Sequence, residues 1–224
     1  MKLRPVTKMT GMLWTARIFV IAFYLTGLAG LLFPGTIQMF KGSISFALLS
    51  SVFILVLFHQ GKNHAKPAFF FLVIILAGFF IEVAGVHTGA IFGEYRYGES
   101  LGLKWLGVPL IIGMNWAMLT YMTASLSDRL PLGVCGKVVT ASLLMTGYDL
   151  VLEQSAPDLN MWYWDSDRIP PLNYLSWFLM ALAFQSLLKI FRIETGNKMS
   201  TLLLASQFLF FFFLFIFGTN PIPQ

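Results

Sequence analysis

The chain has 224 residues, of which 57% are hydrophobic and only 11% charged, with a mean hydropathy of +0.75. Soluble domains carry roughly 25% charged residues, so the composition excludes an ordinary soluble fold and predicts a polytopic membrane protein. The net charge of +5 does not mark a nucleic-acid partner, because the basic residues fall between apolar runs, and the lone Cys135 excludes an intrachain disulfide or a cysteine metal cluster.

An apolar stretch of about 20 residues is long enough to cross a bilayer as a helix. In chain order, seven such stretches are predicted at 13–33, 43–60, 67–87, 105–126, 131–153, 172–192 and 200–217. The basic N-terminal segment lacks the short apolar region and small-residue cleavage site of a signal peptide, and reads as a cytoplasmic tail leading into the first span. Pro34-Gly35, "GKNHAK", "HTGAIFGEYRYGESLG", "SDRLP", "QSAPDLNMWYWDSDRIPP" and "IETGNK" punctuate the rest. With no charge-rich soluble segment, residues 1–224 form one integral membrane domain. The expected fold is an all-α bundle of about seven transmembrane helices. Its final run "FLFFFFLFIF" (208–217) is expected to face lipid.

Lys and Arg gather on cytoplasmic loops. With the N-terminus inside, eleven of the fifteen fall on the inner side: Lys2, Arg4, Lys8, Arg17, Lys62, Lys66, Arg129, Lys137, Lys189, Arg192 and Lys198. The outer side holds four: Lys41, Arg96, Lys104 and Arg168. The expected orientation is N-in, C-out, in the cytoplasmic (inner) membrane. Both motif-rich loops, 88–104 and 154–171, then lie outside.

Carboxylates within spans are costly and by default functional. Glu82 lies about five residues before the outer end of the third span and Asp149 about four before that of the fifth, so the two share a depth. Glu153 sits one turn beyond Asp149 on the same face. Each acid could instead serve packing alone, bonded to a neighbouring helix. Around them stand aromatics with polar tips: Tyr95 and Tyr97 in "EYRYG", Trp162, Tyr163 and Trp164 in "MWYWD", Trp116 beside Asn115 about ten residues from either end of the fourth span, and Trp177 after "PLNYLS". In an extended stretch Tyr95 and Tyr97 share one face, and Glu94 and Arg96 the other. Trp105 and Trp162 read as interfacial belt residues. Gly93 and Gly98 flank the tyrosines as a turn pair that folds the loop over the bundle. His59, His64 and His87 do not have a metal-ligand spacing, and no metal is expected.

The stretch "EVAGVHTGAIFGEYRYGESLGLKWLGVPLIIGMNW", followed by "GYDLVLEQSAPDLNMWYWDSDRIPPLNYLSWF", resembles the carotenoid biosynthesis membrane family that contains the CruF-type carotenoid 1′,2′-hydratases, bisanhydrobacterioruberin hydratase among them. The resemblance covers roughly residues 78–190. It implies addition of water across the terminal C1′=C2′ bond of an acyclic carotenoid end, of the γ-carotene or lycopene type, giving a tertiary alcohol without a redox cofactor. Its partners would be the carotenoid, the bilayer and other carotenoid-pathway enzymes.

That terminal alkene is isolated from the polyene. Protonation at C2′ gives a tertiary cation at C1′, which water captures. A positioned acid is worth about two to four orders of magnitude in rate, and aromatic faces stabilise a cation by roughly 0.5–2 kcal/mol each. Asp149 and Glu82 are the candidate acid and water-orienting base, in either order. Tyr95, Tyr97, Trp116 and Trp164 are expected to line the pocket, with Asn115, Glu153 and Asn173 as substrate-binding or hydrogen-bonding supports. A retinal protein is a poor alternative, because the seventh span has no lysine. A transporter, a lipid- or carotenoid-binding protein, or another end-group enzyme stays open.

Overall fold

The computed structural model describes residues 6–61, 64–166 and 168–218. Lys2, Arg4 and Lys62, counted above toward the inner side, lie outside the described residues. The chain is mostly helical: α1 (Val6–Leu32), α2 (Ile37–Lys41), α3 (Ile44–Leu57), α4 (Ala65–Thr88), α5 (Ile111–Ser127), α6 (Val134–Glu153), α7 (Pro171–Ile190) and α8 (Ser200–Phe217). Among the described residues, four short strands lie between them: β1 (Tyr95–Tyr97), β2 (Lys104–Trp105), β3 (Val108–Pro109) and β4 (Trp162–Trp164).

Among the described residues, four helices are both long and apolar enough to cross a membrane: Thr10–Leu32 of α1, with α4, α6 and α8. Each of the other three predicted stretches also holds a helix, with a physical reason for its difference. Helix α3 has 14 residues, about 21 Å of rise. Helix α7 is long enough but interrupts its apolar run with Asn173, Ser176, Gln185 and Lys189. Helix α5 begins at Ile111 rather than near 105, because residues 104–109 turn back as the β2–β3 hairpin. Asn115 and Trp116 therefore sit within two turns of the N-terminal end of α5, not mid-span.

Helix α5 is the axis of the bundle. All its residues but Met114 and Leu126 are buried, and it packs on α3, α4, α6, α7 and α8. It approaches α4 closely because Gly78 offers no side chain: a Cβ there would stand 2.9 Å from the Trp116 side chain. The phenylalanines of α8 mostly face outward, while Phe211 and Leu214 turn into the core. At one end of the bundle Lys189 pairs with Asp128, and Arg129 donates to Asn197 O at 2.7 Å, tying the segment after α7 to the end of α5. The two motif-rich loops meet at the opposite end.

Candidate functional site

Those loops pair. β1 and β4 run antiparallel, with Tyr95 opposite Trp164, Arg96 opposite Tyr163 and Tyr97 opposite Trp162. Alternation along a strand then sorts the side chains by face. Tyr95, Tyr97, Trp162 and Trp164 turn into the bundle, while the Arg96 guanidinium lies over the Tyr163 ring at 5.7 Å on the other face. Gly93 begins the ribbon at φ +108°, a left-handed conformation open to glycine, with Pro170 packed where a Cβ would project.

Beneath the ribbon lies a cavity of about 20 Å³ bounded by four helices. Helix α4 contributes Glu82, α5 contributes Ile112, Asn115 and Trp116, α6 contributes Asp149 and Glu153, and α7 contributes Asn173 and Trp177. Phe92 and the four inward ribbon aromatics complete it. All nine residues singled out in the sequence line this one cavity: Glu82, Tyr95, Tyr97, Asn115, Trp116, Asp149, Glu153, Trp164 and Asn173.

Four further residues join them. Trp162, read from sequence as a belt residue, is buried and donates its indole N–H to Glu153. The signal was present in the W-x-W spacing, since two residues apart on a strand share a face. Trp177 follows Asn173 by one helical turn, and its ring stacks on Trp116 with centroids 3.9 Å apart. Phe92 and Ile112 are apolar, with no mark separating them from other core residues. Trp105 stays more than half exposed and stacks on Phe79, as a belt residue does.

The three carboxyl groups are held differently. Glu82 Oε2 accepts the phenol O–H of Tyr95 at 2.6 Å and of Tyr97 at 2.7 Å, and its Oε1 accepts the Trp116 indole N–H at 2.9 Å. Glu153 Oε2 accepts both Trp162 and Trp164, at 2.9 and 2.8 Å. The Asn173 amide donates to Glu153 Oε1 and to Asp149 Oδ2, each at 3.1 Å, and so bridges two acids one turn apart on α6. Asp149 Oδ1 is buried and finds no hydrogen-bond partner among the described residues. Burial and the neighbouring Glu82 push both ribbon phenols, Tyr95 and Tyr97, above their ordinary range, so they remain protonated donors.

Among the described residues, no lysine, arginine or histidine lines the cavity. Three acids without a cation, walled by aromatic rings, form an electron-rich enclosure suited to positive charge. The fold and this site define a helical membrane protein with an acid cluster buried under an aromatic ribbon at one end of its bundle.

Residues 42–222 match the carotenoid biosynthesis protein family, and the chain belongs to that family. The match reaches well beyond the 78–190 stretch that carries the motifs. The chain is also similar to bisanhydrobacterioruberin hydratase of Haloarcula japonica, at 32% identity over 117 residues, which cover 48% of this chain and 40% of that relative. No solved structure matches the chain.

Proposed function

We propose that the protein hydrates the terminal C1′=C2′ double bond of an acyclic carotenoid end group, of the γ-carotene or lycopene type, and that the cavity under the ribbon is its active site. The observation that carries this reading is the set of three buried carboxyl groups facing aromatic rings with no cation among them. The family and the hydratase relative agree with it.

In the proposed reaction a carboxylic acid gives its proton to C2′. The alkene π pair forms the new C–H bond and leaves a tertiary cation at C1′. The Trp116 and Trp177 faces and the carboxylate charge stabilise that cation. Water then bonds to C1′ through oxygen and loses a proton to a carboxylate, which leaves the tertiary alcohol. Glu82 and Asp149 are the acid and the water-orienting group.

A cavity of about 20 Å³ exceeds the 10–15 Å³ that one water needs and is too small for an isoprenoid end. The end group therefore enters as the ribbon lifts, or as Trp177 swings away, and the polyene stays among the helices and lipid. All seven long helices cross the membrane in this reading, with the N-terminus inside and the ribbon outside. The membrane is the cytoplasmic one.

The reading is tested by mass spectrometry of pigments from a bacterial host making lycopene and γ-carotene, with and without this protein. The expected product is heavier than its parent by one water and takes up label from heavy-oxygen water. Unchanged pigments in cells with inserted protein would remove these carotenoids as substrates. A changed end group without the label would make the same cation chemistry end in another product.

A further inference from the structure

The hydrogen bonds at the three acids divide the labour among them, and we infer that Asp149 holds the proton given to the substrate while Glu82 and Glu153 are fixed as carboxylates. The inference rests on the proposed hydration for the identity of the acceptor, but its structural half stands on geometry alone.

An indole N–H and a side-chain amide N–H only donate. Each of the three bonds to Glu153 comes from such a group: Trp162 and Trp164 at Oε2, and Asn173 at Oε1. A proton on Glu153 would find no acceptor among them and would have to occupy the one lone-pair site they leave, on Oε1. Glu82 is similarly engaged on both oxygens, by Trp116 on one and by two phenols on the other. Asp149 differs. Its Oδ2 takes one amide N–H from Asn173, and its Oδ1 is buried with no protein donor among the described residues. A bare carboxylate oxygen in that position is costly. The same oxygen bearing a proton points an O–H donor into the cavity.

Charge leads to the same group. Three like charges in one enclosure without a cation disfavour full ionisation, so one acid keeps its proton. It stays on the acid with the fewest donors. Glu82 and Glu153 have three donors each, and Asp149 has one.

The cycle closes on Asp149. Its O–H bond breaks as the C2′–H bond forms. Water, held by the one lone-pair site left on Glu82 after three of about four are filled, bonds to C1′. The oxonium returns its proton to the Asp149 carboxylate, and no other reagent is consumed.

The experiment is infrared difference spectroscopy of the purified protein in lipid nanodiscs, comparing light and heavy water. The wild type should show the carbonyl stretch of a protonated carboxyl group, with the downshift that deuterium gives. Asp149→Asn should lose this band, while Glu82→Gln and Glu153→Gln keep it. Asp149→Glu should keep it at a shifted frequency, which separates loss of the acid from loss of the fold. In the pigment assay Asp149→Asn should lose about two to four orders of magnitude in rate, with a smaller loss for Glu82→Gln. A band that survives in folded Asp149→Asn, or is absent from the wild type, overturns the inference. The spectroscopy needs no substrate, so a failed pigment assay beside the expected spectra would remove these carotenoids as substrates and leave the proton on Asp149.

Discussion

Gly78→Ala adds one methyl group between α4 and Trp116 of α5. A Cβ on Gly78 would lie 2.9 Å from Cβ, Cγ and Cδ1 of Trp116, where ordinary contact starts near 3.4 Å. Trp116 has little room to retreat: it is 1% exposed, stacked on Trp177 at 3.9 Å and edged by Phe184 at 5.7 Å. Two effects compete. Alanine gains roughly 0.8–1 kcal/mol of helix propensity over glycine. Overpacking a rigid contact costs about 1–3 kcal/mol. The balance is a net loss of about 1 kcal/mol in stability, read as a modest fall in the unfolding midpoint in detergent. Activity should fall further than stability. A shift of about half an ångström in the indole would stretch the 2.9 Å bond to Glu82 beyond the usual hydrogen-bond range. Carotenoid turnover and thermal unfolding measured on the same preparations test this. A variant more stable than the parent and fully active would show that the α4–α5 spacing does not depend on Gly78.

The ribbon supports two further predictions. Tyr95→Phe and Tyr97→Phe each remove one bond to Glu82 Oε2, worth roughly 1.5–3 kcal/mol for a charged acceptor. Because the two share an oxygen, the double variant should depart from the sum of the singles in a turnover cycle; strict additivity would mean they do not act through Glu82. Trp162→Phe should be mild, since Trp164 still serves Glu153 Oε2. The Trp162→Phe, Trp164→Phe double variant should move the proton toward Glu153, seen as a change in the protonated-carboxyl band and a larger loss of turnover; an unchanged band would separate Glu153 from the ribbon.

Helix locations were legible in the sequence because apolar runs of bilayer length are a strong signal. The start of the fourth span was not. "LKWLGVPL" is apolar enough to continue a helix, yet Gly107 at φ +78° and Pro109 fold it into a hairpin. The acids were legible because a carboxylate among apolar residues is conspicuous, and the inward face of "EYRY" followed from alternation. The partner of that strand was not legible. Pairing between residues 95–97 and 162–164 is a contact across more than sixty positions, and without it Trp162 looks like any tryptophan near a bilayer surface. The unequal hydrogen bonding of the three acids was also hidden, because it depends on which oxygen each indole and phenol reaches.

The ribbon links the cost of burying these acids to the chemistry proposed for them. Six donors hold Glu82 and Glu153, and four of them, Tyr95, Tyr97, Trp162 and Trp164, come from β1 and β4. A lifted ribbon would leave two carboxyl groups with few donors in an apolar surrounding, where neither charge is well supported. A closed ribbon restores both charges and sets four aromatic side chains beside them. By the inference above, closing also leaves the proton on Asp149. A movement that admitted the proposed isoprenoid end would thus dismantle the charged state, and the return would rebuild it around that end. Acid, negative charge and aromatic wall would come together when water is excluded from all but one position, which favours capture of the cation at C1′ over its escape.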